Sequence, residues 1–234
     1  MMDPLTVLRC GAKSGDSHRT DLASSPATRG SPKLSGGTLS PYRGTRVGEP
    51  RLQDTGTLKI IQWNAEGLQH KKVALTKLLQ NEMIDVACIQ ETHLTDNIRC
   101  SIRGYQHFRK DRKERHKGGV IIFVKNDIAA NEITTNESLE ILAVRLTKNK
   151  VQYTVYNCYS PPTENLPLED ITTQDEHFVV VGDFNSHSPS WGYKDLNTKG
   201  EELENWITDN KLQILMNEDD PDNFFSRAWK TTST

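Results

Sequence analysis

Polar side chains follow four apolar runs of this sequence, each at the point where the run stops. Asn64 ends "LKIIQWN", and Glu91 ends "DVACIQE". Tyr159 stands before a pair of prolines in "YNCYSPP", and three valines lead into Asp183 and Asn185 in "VVVGDFN". Taken singly, each has an ordinary explanation, because Asn starts turns, a terminal Glu is solvated and a Tyr before prolines packs. Four such coincidences together favour a polar site.

The residue types in this set suit one kind of reaction. Glu91 offers a carboxylate for a hard cation, and Tyr159 offers a phenol. Further carboxylate and amide groups come from Asn64, Asp183 and Asn185. Mg²⁺ binds proteins through one or two carboxylates, with water and substrate oxygens completing its shell. The set therefore predicts hydrolysis at phosphorus assisted by Mg²⁺, with Mn²⁺ as the alternative ion.

These residues need a scaffold that brings strand ends together. The apolar patterns predict strands at 58–63, 85–91, 118–125, 139–147, 150–160, 177–183 and 212–216, and helices at 71–82 and 198–210. The first two strands flank a helix, so we expect them to be parallel. Strands outnumber helices and partly follow one another in hairpin runs. This order predicts a mixed α/β sandwich rather than a regular doubly wound sheet.

Length and composition narrow the class of protein. A chain of 234 residues allows one large domain or two small ones. No apolar run approaches the roughly 18 residues that span a bilayer, and the N-terminus lacks the apolar core of a signal peptide. The four cysteines are scattered without a C-x-x-C pair, which argues against zinc or redox chemistry. We expect an intracellular protein without a membrane partner, in which Cys88 and Cys158 are core residues.

Residues 1–56 differ from the rest of the chain. They contain 20 Gly, Pro or Ser residues and show neither helical nor strand periodicity. Such a segment buries too little apolar surface to offset its ordering entropy, so it is predicted to be a disordered extension. A linker, a basic tether for nucleic acid and a segment included by an early start in the gene model are alternatives. The folded domain is predicted to span 57–234.

Any nucleic-acid footprint on this domain must be local. Residues 1–56 carry eight basic and five acidic side chains, which leaves 21 basic and 26 acidic ones in the remainder, a net charge of −5. One short basic run stands out, with Arg109, Lys110, Arg112, Lys113, Arg115 and Lys117. Asp111 and Glu114 dilute it, so a solvated loop is one interpretation. The other is a loop that holds the DNA backbone through sequence-independent phosphate contacts.

Five segments, in their order and spacing, resemble the endonuclease/exonuclease/phosphatase superfamily: "IIQWNAEGL", "CIQETHL", "GGVIIFV", "YSPP" and "VVGDFNSHSPSWG". The particular pattern resembles the endonuclease domain of jockey-type non-LTR retrotransposons. Its most specific part is "GDFN" after a valine strand, with "WG" a few residues later. The resemblance covers about 58–234 and implies a DNase I-like, four-layer α/β sandwich, in which two mixed β-sheets lie face to face and helices flank them.

The resemblance also implies a role for each site residue. Glu91 would ligate the divalent metal, and Asn64 beside it would hold the metal or a phosphate oxygen. Tyr159 would donate a hydrogen bond to the scissile phosphate. Asp183 would orient and deprotonate the attacking water. Asn185 would fix Asp183 and a phosphate oxygen.

Two histidines and the C-terminus leave questions open within this resemblance. His93 and His187 lie inside matching motifs, where direct contact and a supporting position are equal alternatives. The family ends its fold with an Asp-bearing strand and a Ser-Asp-His stretch, whose His stabilises charge on the phosphoryl oxygens. This chain ends on "DNFFSRAWKTTST", which resembles the loop before that strand, and it has no His beyond 187. We therefore expect the last strands to be missing and the activity to be weakened.

The function that the resemblance implies is a metal-dependent endonuclease that nicks double-stranded DNA in the nucleus. The 3′-hydroxyl at the nick would then prime reverse transcription. One alternative is a non-catalytic retroelement remnant that at most binds DNA through the basic run. A further alternative is a phosphatase or lipid phosphodiesterase of the same superfamily.

Overall fold

The computed structural model describes residues 18–20, 58–113, 117–175, 177–215, 224–226 and 231–233. The strands are β1 (His18–Thr20), β2 (Ile60–Asn64), β3 (Val86–Gln90), β4 (Tyr105–Lys110), β5 (Val120–Lys125), β6 (Ala129–Ile133), β7 (Ile141–Lys148), β8 (Val151–Tyr159), β9 (Phe178–Asp183), β10 (Phe224–Ser226) and β11 (Thr231–Ser233). The α-helices are α1 (Lys72–Asn81) and α2 (Thr198–Asp209), and short 3₁₀ turns cover Leu168–Asp170 and Pro189–Trp191.

Two mixed sheets form the centre of the fold. The first has the order β1-β2-β3-β5-β4, and the second has the order β6-β7-β8-β9. Each contains one parallel pair, β2 with β3 and β8 with β9, among antiparallel neighbours. The parallel β2–α1–β3 unit is the one that the sequence predicts, because a parallel pair needs a crossover long enough for a helix.

Side-chain alternation in the strands decides which layer each residue enters. In β5, Val120 and Ile122 pack in the core between the two sheets, whereas Ile121 and Phe123 point to the other face. On that outer face they join a cluster with Leu75 and the rest of the buried side of α1. Successive strand residues point to opposite faces, so a fully apolar strand such as β5 fits only where both faces are covered.

The second sheet is covered in the same way by α2. Leu203 and Ile207 of this helix belong to a buried cluster with Val180 of β9, Phe184 and Trp191. The resulting layers are α1, the first sheet, the second sheet and α2. The predicted four-layer α/β sandwich is confirmed.

Three segments between residues 58 and 215 differ from the predictions. The predicted strand at 212–216 is wrong over its described part, because residues 212–215 carry no regular structure. Their apolar side chains are divided between two clusters: Leu212 and Ile214 pack beside α2, and Leu215 packs against the inter-sheet core. Strands β4 and β6 were not predicted. Both lie at sheet edges, where partly exposed side chains weaken the apolar pattern that marks a strand.

The two ends of the chain are described only in part. Within residues 1–56, the structure describes β1, which pairs antiparallel with β2; the remainder lies outside the described residues, so its disorder stays a prediction. Near the C-terminus, where the sequence predicts a loop, β10 and β11 pair as an antiparallel hairpin. Cys88 and Cys158 are fully buried, as predicted. Within the described residues, none of the helices has the length and apolarity needed to cross a bilayer.

Candidate active site

The two parallel strand pairs deliver their last residues to one edge of the sandwich. Asn64 ends β2 opposite Gln90, the last residue of β3, and Glu91 follows directly. Tyr159 ends β8 opposite Asp183, the last residue of β9. The carboxyl ends of parallel strands meet at the same edge of a sheet, and here the edges of two facing sheets meet each other.

The side chains at this edge form one hydrogen-bonded cluster. Asn64 Nδ2 donates to Glu91 Oε1 at 2.9 Å and to Asp183 Oδ2 at 2.7 Å. The Tyr159 hydroxyl donates to the same Glu91 Oε1 at 2.9 Å. A single amide therefore links a carboxylate of the first sheet to a carboxylate of the second. The structure brings together four of the five residues that the sequence assigned to catalysis.

The fifth residue, Asn185, lies beside this cluster and hydrogen-bonds to Asp183 and to the loop after β8. Its backbone N–H donates to Asp183 Oδ1 at 3.2 Å, and its side-chain Nδ2 donates to the Ser160 carbonyl at 3.1 Å. The Ser160 N–H in turn donates to the Asp183 carbonyl at 2.9 Å. Asn185 thus ties the loop after β9 to the loop after β8.

The backbone around the cluster is strained at its polar residues. Glu91, His93 and Asn185 adopt φ values of 47°, 52° and 49°, in the left-handed region that non-glycine residues rarely occupy. The surrounding hydrogen bonds hold the Glu91 segment there, since its carbonyl accepts from Gly67 N at 2.8 Å and His93 N donates to the Gly118 carbonyl at 2.9 Å. Strain of this kind concentrates at functional sites, where the fold over-determines an unfavourable conformation.

Burial raises the pKa of the Tyr159 phenol. Glu91 and Asp183 are only 4% and 1% exposed. Desolvation, followed by the nearby carboxylates of Glu91 and Asp183, raises the pKa of Tyr159 far above its usual value. A tyrosine is already protonated at neutral pH, and the raised pKa keeps Tyr159 protonated, and so a hydrogen-bond donor, at alkaline pH as well.

The donor set of this cluster fits a hard divalent cation. Among the described residues, no three His, Cys, Asp or Glu side chains are grouped to hold a metal. Mg²⁺ does not require such a group, because it uses one or two carboxylates and keeps several waters. Glu91 and Asp183 place two buried carboxylates around one amide, and only Oε1 of Glu91 accepts the Asn64 and Tyr159 bonds. A cation here would offset the buried negative charge.

The two histidines lie in different surroundings. His93 Nε2 is 3.4 Å from Glu91 Oε2, so this ring adjoins the cluster. The His187 ring stacks on Tyr193, with centroids 4.2 Å apart and planes 11° apart, and its Nδ1 is 3.2 Å from Asp195 Oδ2. The ring of His187 thus contacts residues of its own surface loop.

Three cations of the basic run are engaged with the protein. Arg109 and Lys110 donate to backbone carbonyls of neighbouring segments. Arg112 pairs with the buried Glu140 and lies 5.9 Å from the centre of the Tyr159 ring. These contacts fix the start of the loop beside the cluster.

Two later lysines of the basic run face solvent. Lys113 and Lys117 are exposed, and Arg115 lies outside the described residues. The contact of the basic run with DNA stays a prediction.

A buried amide network lies beneath the cluster and was not predicted from the sequence. Asn157 Nδ2 donates to the Ile89 and Ile121 carbonyls of the first sheet at 3.1 and 3.0 Å, and its Oδ1 accepts from Gln90 Nε2. Both amides are fully buried and join the two sheets directly under the site. The available signal was an Asn in the middle of the apolar strand "TVYNCY", where burial requires hydrogen-bond partners.

Two face-to-face mixed sheets, joined at one edge by a cluster of strand-end carboxylates and amides, define the DNase I-like class of α/β sandwich. The chain belongs to the Endonuclease/Exonuclease/phosphatase family, which matches residues 61–234.

Similar proteins come from mobile elements. The RNA-directed DNA polymerase from mobile element jockey of Drosophila melanogaster is 28% identical over 167 residues, which are 68% of this chain and 18% of that protein. The probable RNA-directed DNA polymerase from transposon X-element of the same species is 25% identical over 169 residues, with the same coverage of 68% and 18%. The chain thus spans about a fifth of the length of these relatives. Among solved structures, the endonuclease domain of TRAS1, a telomere-specific non-LTR retrotransposon, shares the fold with a TM-score of 0.60 and 20% identity, covering 75% of this chain and 81% of that one.

Proposed function

We propose that this protein is a DNA-nicking endonuclease domain of a non-LTR retroelement and hydrolyses phosphodiester bonds with Mg²⁺ or Mn²⁺. The observation that carries the proposal is the single cluster in which Asn64 links Glu91 to Asp183 while Tyr159 donates to Glu91. Its position at the strand ends of a family domain, and the mobile-element relatives, support DNA as the substrate.

Each side chain has a distinct task in this proposal. Glu91, with Asn64 beside it, would hold the divalent ion, which when bound polarises a phosphoryl oxygen and neutralises its charge. Asp183 accepts the proton of the attacking water, and the hydrogen bond from Asn64 holds that carboxylate in place. The protonated hydroxyl of Tyr159, which donates to Glu91 in the structure, turns its single proton to a phosphate oxygen in the transition state. Asn185 keeps the Asp183 loop in register with the Ser160 loop.

Two carboxylates would repel a polyanion, so the proposal needs a local source of positive charge. The exposed Lys113 and Lys117 supply it from a loop whose start is fixed beside Tyr159 by Arg112. Changing both lysines to Ala should weaken DNA binding about equally for any sequence and lower the slope of log affinity against log salt by about 2. An unchanged slope in a fluorescence-anisotropy titration would show that the two lysines do not contact the DNA backbone.

Nicking of supercoiled plasmid by the full chain tests the activity directly. The wild-type protein should convert supercoiled to open-circular DNA with Mg²⁺ and stop when EDTA is added. Asp183→Asn should lower the rate by about 10²–10⁴, as expected for loss of a general base. Asp209→Asn is the matched control, because Asp209 is exposed at the far end of α2.

The alternatives give different outcomes in the same assay. DNA binding without nicking by any amount of wild-type protein would identify a non-catalytic remnant. Release of phosphate from a nucleoside monophosphate or a phosphoinositide, with plasmid left intact, would identify a phosphatase or lipid phosphodiesterase. The nuclear location that we propose follows from the DNA substrate and is tested by imaging a tagged chain.

A further inference from the structure

Lys199, the second residue of α2, directs its ammonium group into the loops that leave β8 and β9. Its Nζ lies 2.6 Å from Ser160 Oγ, 2.6 Å from the Pro161 carbonyl, 3.3 Å from the Ser160 carbonyl and 3.5 Å from the Phe184 carbonyl. Ser160 directly follows Tyr159, and Phe184 directly follows Asp183. One cation therefore bridges the first residues after both strands of the second sheet that end at the candidate site.

The neighbours of Lys199 hold α2 against the same loops. The Asn197 side chain accepts from His187 N at 3.0 Å and from Gly200 N at 2.7 Å, and it donates to the Asn185 carbonyl at 3.2 Å. A Cβ on Gly200 would stand 1.8 Å from the His187 carbonyl oxygen, so only glycine permits this approach. The segment 197–200 is thus fitted to the loop that carries Asn185.

Removing a lysine ammonium from water is costly, so a half-buried lysine needs hydrogen-bond acceptors around its Nζ. Burial lowers the pKa of Lys199, whereas the nearby Asp183 carboxylate, ahead of Glu164 and Glu202, favours its charged form. The carbonyl and hydroxyl oxygens around Nζ satisfy its three donors, so the ammonium offers the loops directional hydrogen bonds. The Ser160 carbonyl accepts from both Lys199 and Asn185, which makes it the shared point of the two loops.

We infer that Lys199 is a positioning residue that holds the Ser160–Pro161 and Phe184–Asn185 segments in register and thereby fixes Tyr159 and Asp183 relative to each other. This inference rests on the proposed nicking activity and adds a residue outside the strand-end motifs. Displacements of about 1 Å in such a site cost up to about 10²-fold in rate, so the effect falls on the chemical step rather than on DNA affinity.

The first test is kinetic and uses the full chain. Lys199→Met keeps the length of the side chain and removes its charge and donors. It should lower kcat for plasmid nicking at least about tenfold, with KM and DNA affinity within about twofold of wild type. Lys199→Arg, which restores donors and charge, should recover part of kcat. Lys77→Met, at an exposed position of α1, is the control. A K199M loss confined to KM, or a K199R protein as slow as K199M, would overturn the inference.

The second test is independent of activity. Hydrogen–deuterium exchange of the same full-length variants should show faster uptake in peptides covering 158–166 and 183–188 of K199M, and unchanged uptake in the α1 peptide and in K77M. Unchanged uptake in the two loops would overturn the inference even if wild-type protein nicks DNA. Absence of nicking by wild type would instead refute the proposed function, while the exchange result still decides whether Lys199 holds the loops.

Discussion

Replacing Asn64 by aspartate tests the central link of the site without changing its size. In the native protein, Asn64 Nδ2 donates to Glu91 at 2.9 Å and to Asp183 at 2.7 Å. An ionised aspartate at this position has no donor and would place a third carboxylate between two that are almost fully buried. The substitution therefore converts two favourable charge-assisted hydrogen bonds into repulsion.

The size of the effect follows from these two bonds. A hydrogen bond to a charged group contributes about 1.5–3 kcal/mol, so losing both costs about 3–6 kcal/mol before repulsion is counted. A domain is stable by only about 5–15 kcal/mol. For a chain of this size, each kcal/mol corresponds to about 2–4 °C in Tm, which predicts a decrease of about 6–24 °C.

A bound cation should offset part of the stability that N64D loses. Three carboxylates attract a divalent ion more strongly than two, and a ligand at about 100 times its Kd stabilises the folded state by about 2.7 kcal/mol. We therefore expect Mg²⁺ to raise the Tm of N64D by more than it raises that of wild type. Asn131→Asp, on an exposed position of β6, is the control for added charge. An N64D protein that melts within about 2 °C of wild type in EDTA, less than the shift expected for even one kcal/mol, or that gains no more from Mg²⁺, would refute this view of the cluster.

Three further predictions concern the scaffold. Burial, followed by nearby carboxylates, raises the pKa of Tyr105 to about 12. The protonated Tyr105 therefore contributes its full stabilisation below about pH 10, and this contribution is lost as the pH rises through about 12. Tyr105→Phe should flatten the alkaline fall in unfolding free energy, measured by urea denaturation. Gly182→Ala would place a Cβ 2.0 Å from the Cys158 carbonyl oxygen and should lower the unfolding free energy by about 3 kcal/mol or more. Gly104→Ala meets no atom within 4 Å, so it should cost only about 1–2 kcal/mol, the strain of an alanine at a positive φ. Equal losses for the two variants in chemical denaturation would contradict this. Asn157→Leu deprives two buried carbonyls of a donor and Gln90 Nε2 of an acceptor. At about 1–3 kcal/mol for each unsatisfied group, the two carbonyls alone should lower the unfolding free energy by about 2–6 kcal/mol. An unchanged Tm would show that the network is dispensable.

The sequence by itself determined the layers of this protein and the residue types of its candidate site. A strand such as "VIIFV", apolar at every position, must be covered on both faces, and α1 and α2 carry the apolar faces that cover the two sheets. Glu91 and Asp183 could be proposed as site residues from the sequence for the complementary reason. Carboxylates that end buried strands are costly to keep there unless other groups compensate them, so their presence marks a site.

Only the tertiary structure decided how these residues meet. Strand patterns are local, whereas the bond from Asn64 to Asp183 joins residues 119 positions apart across two sheets. The same limit hid Lys199, whose role comes from carbonyl oxygens that no side-chain pattern records. It also explains the unpredicted edge strand β6 and the wrong strand at 212–216, because pairing partners and the division of side chains between two cores are set by the assembled fold.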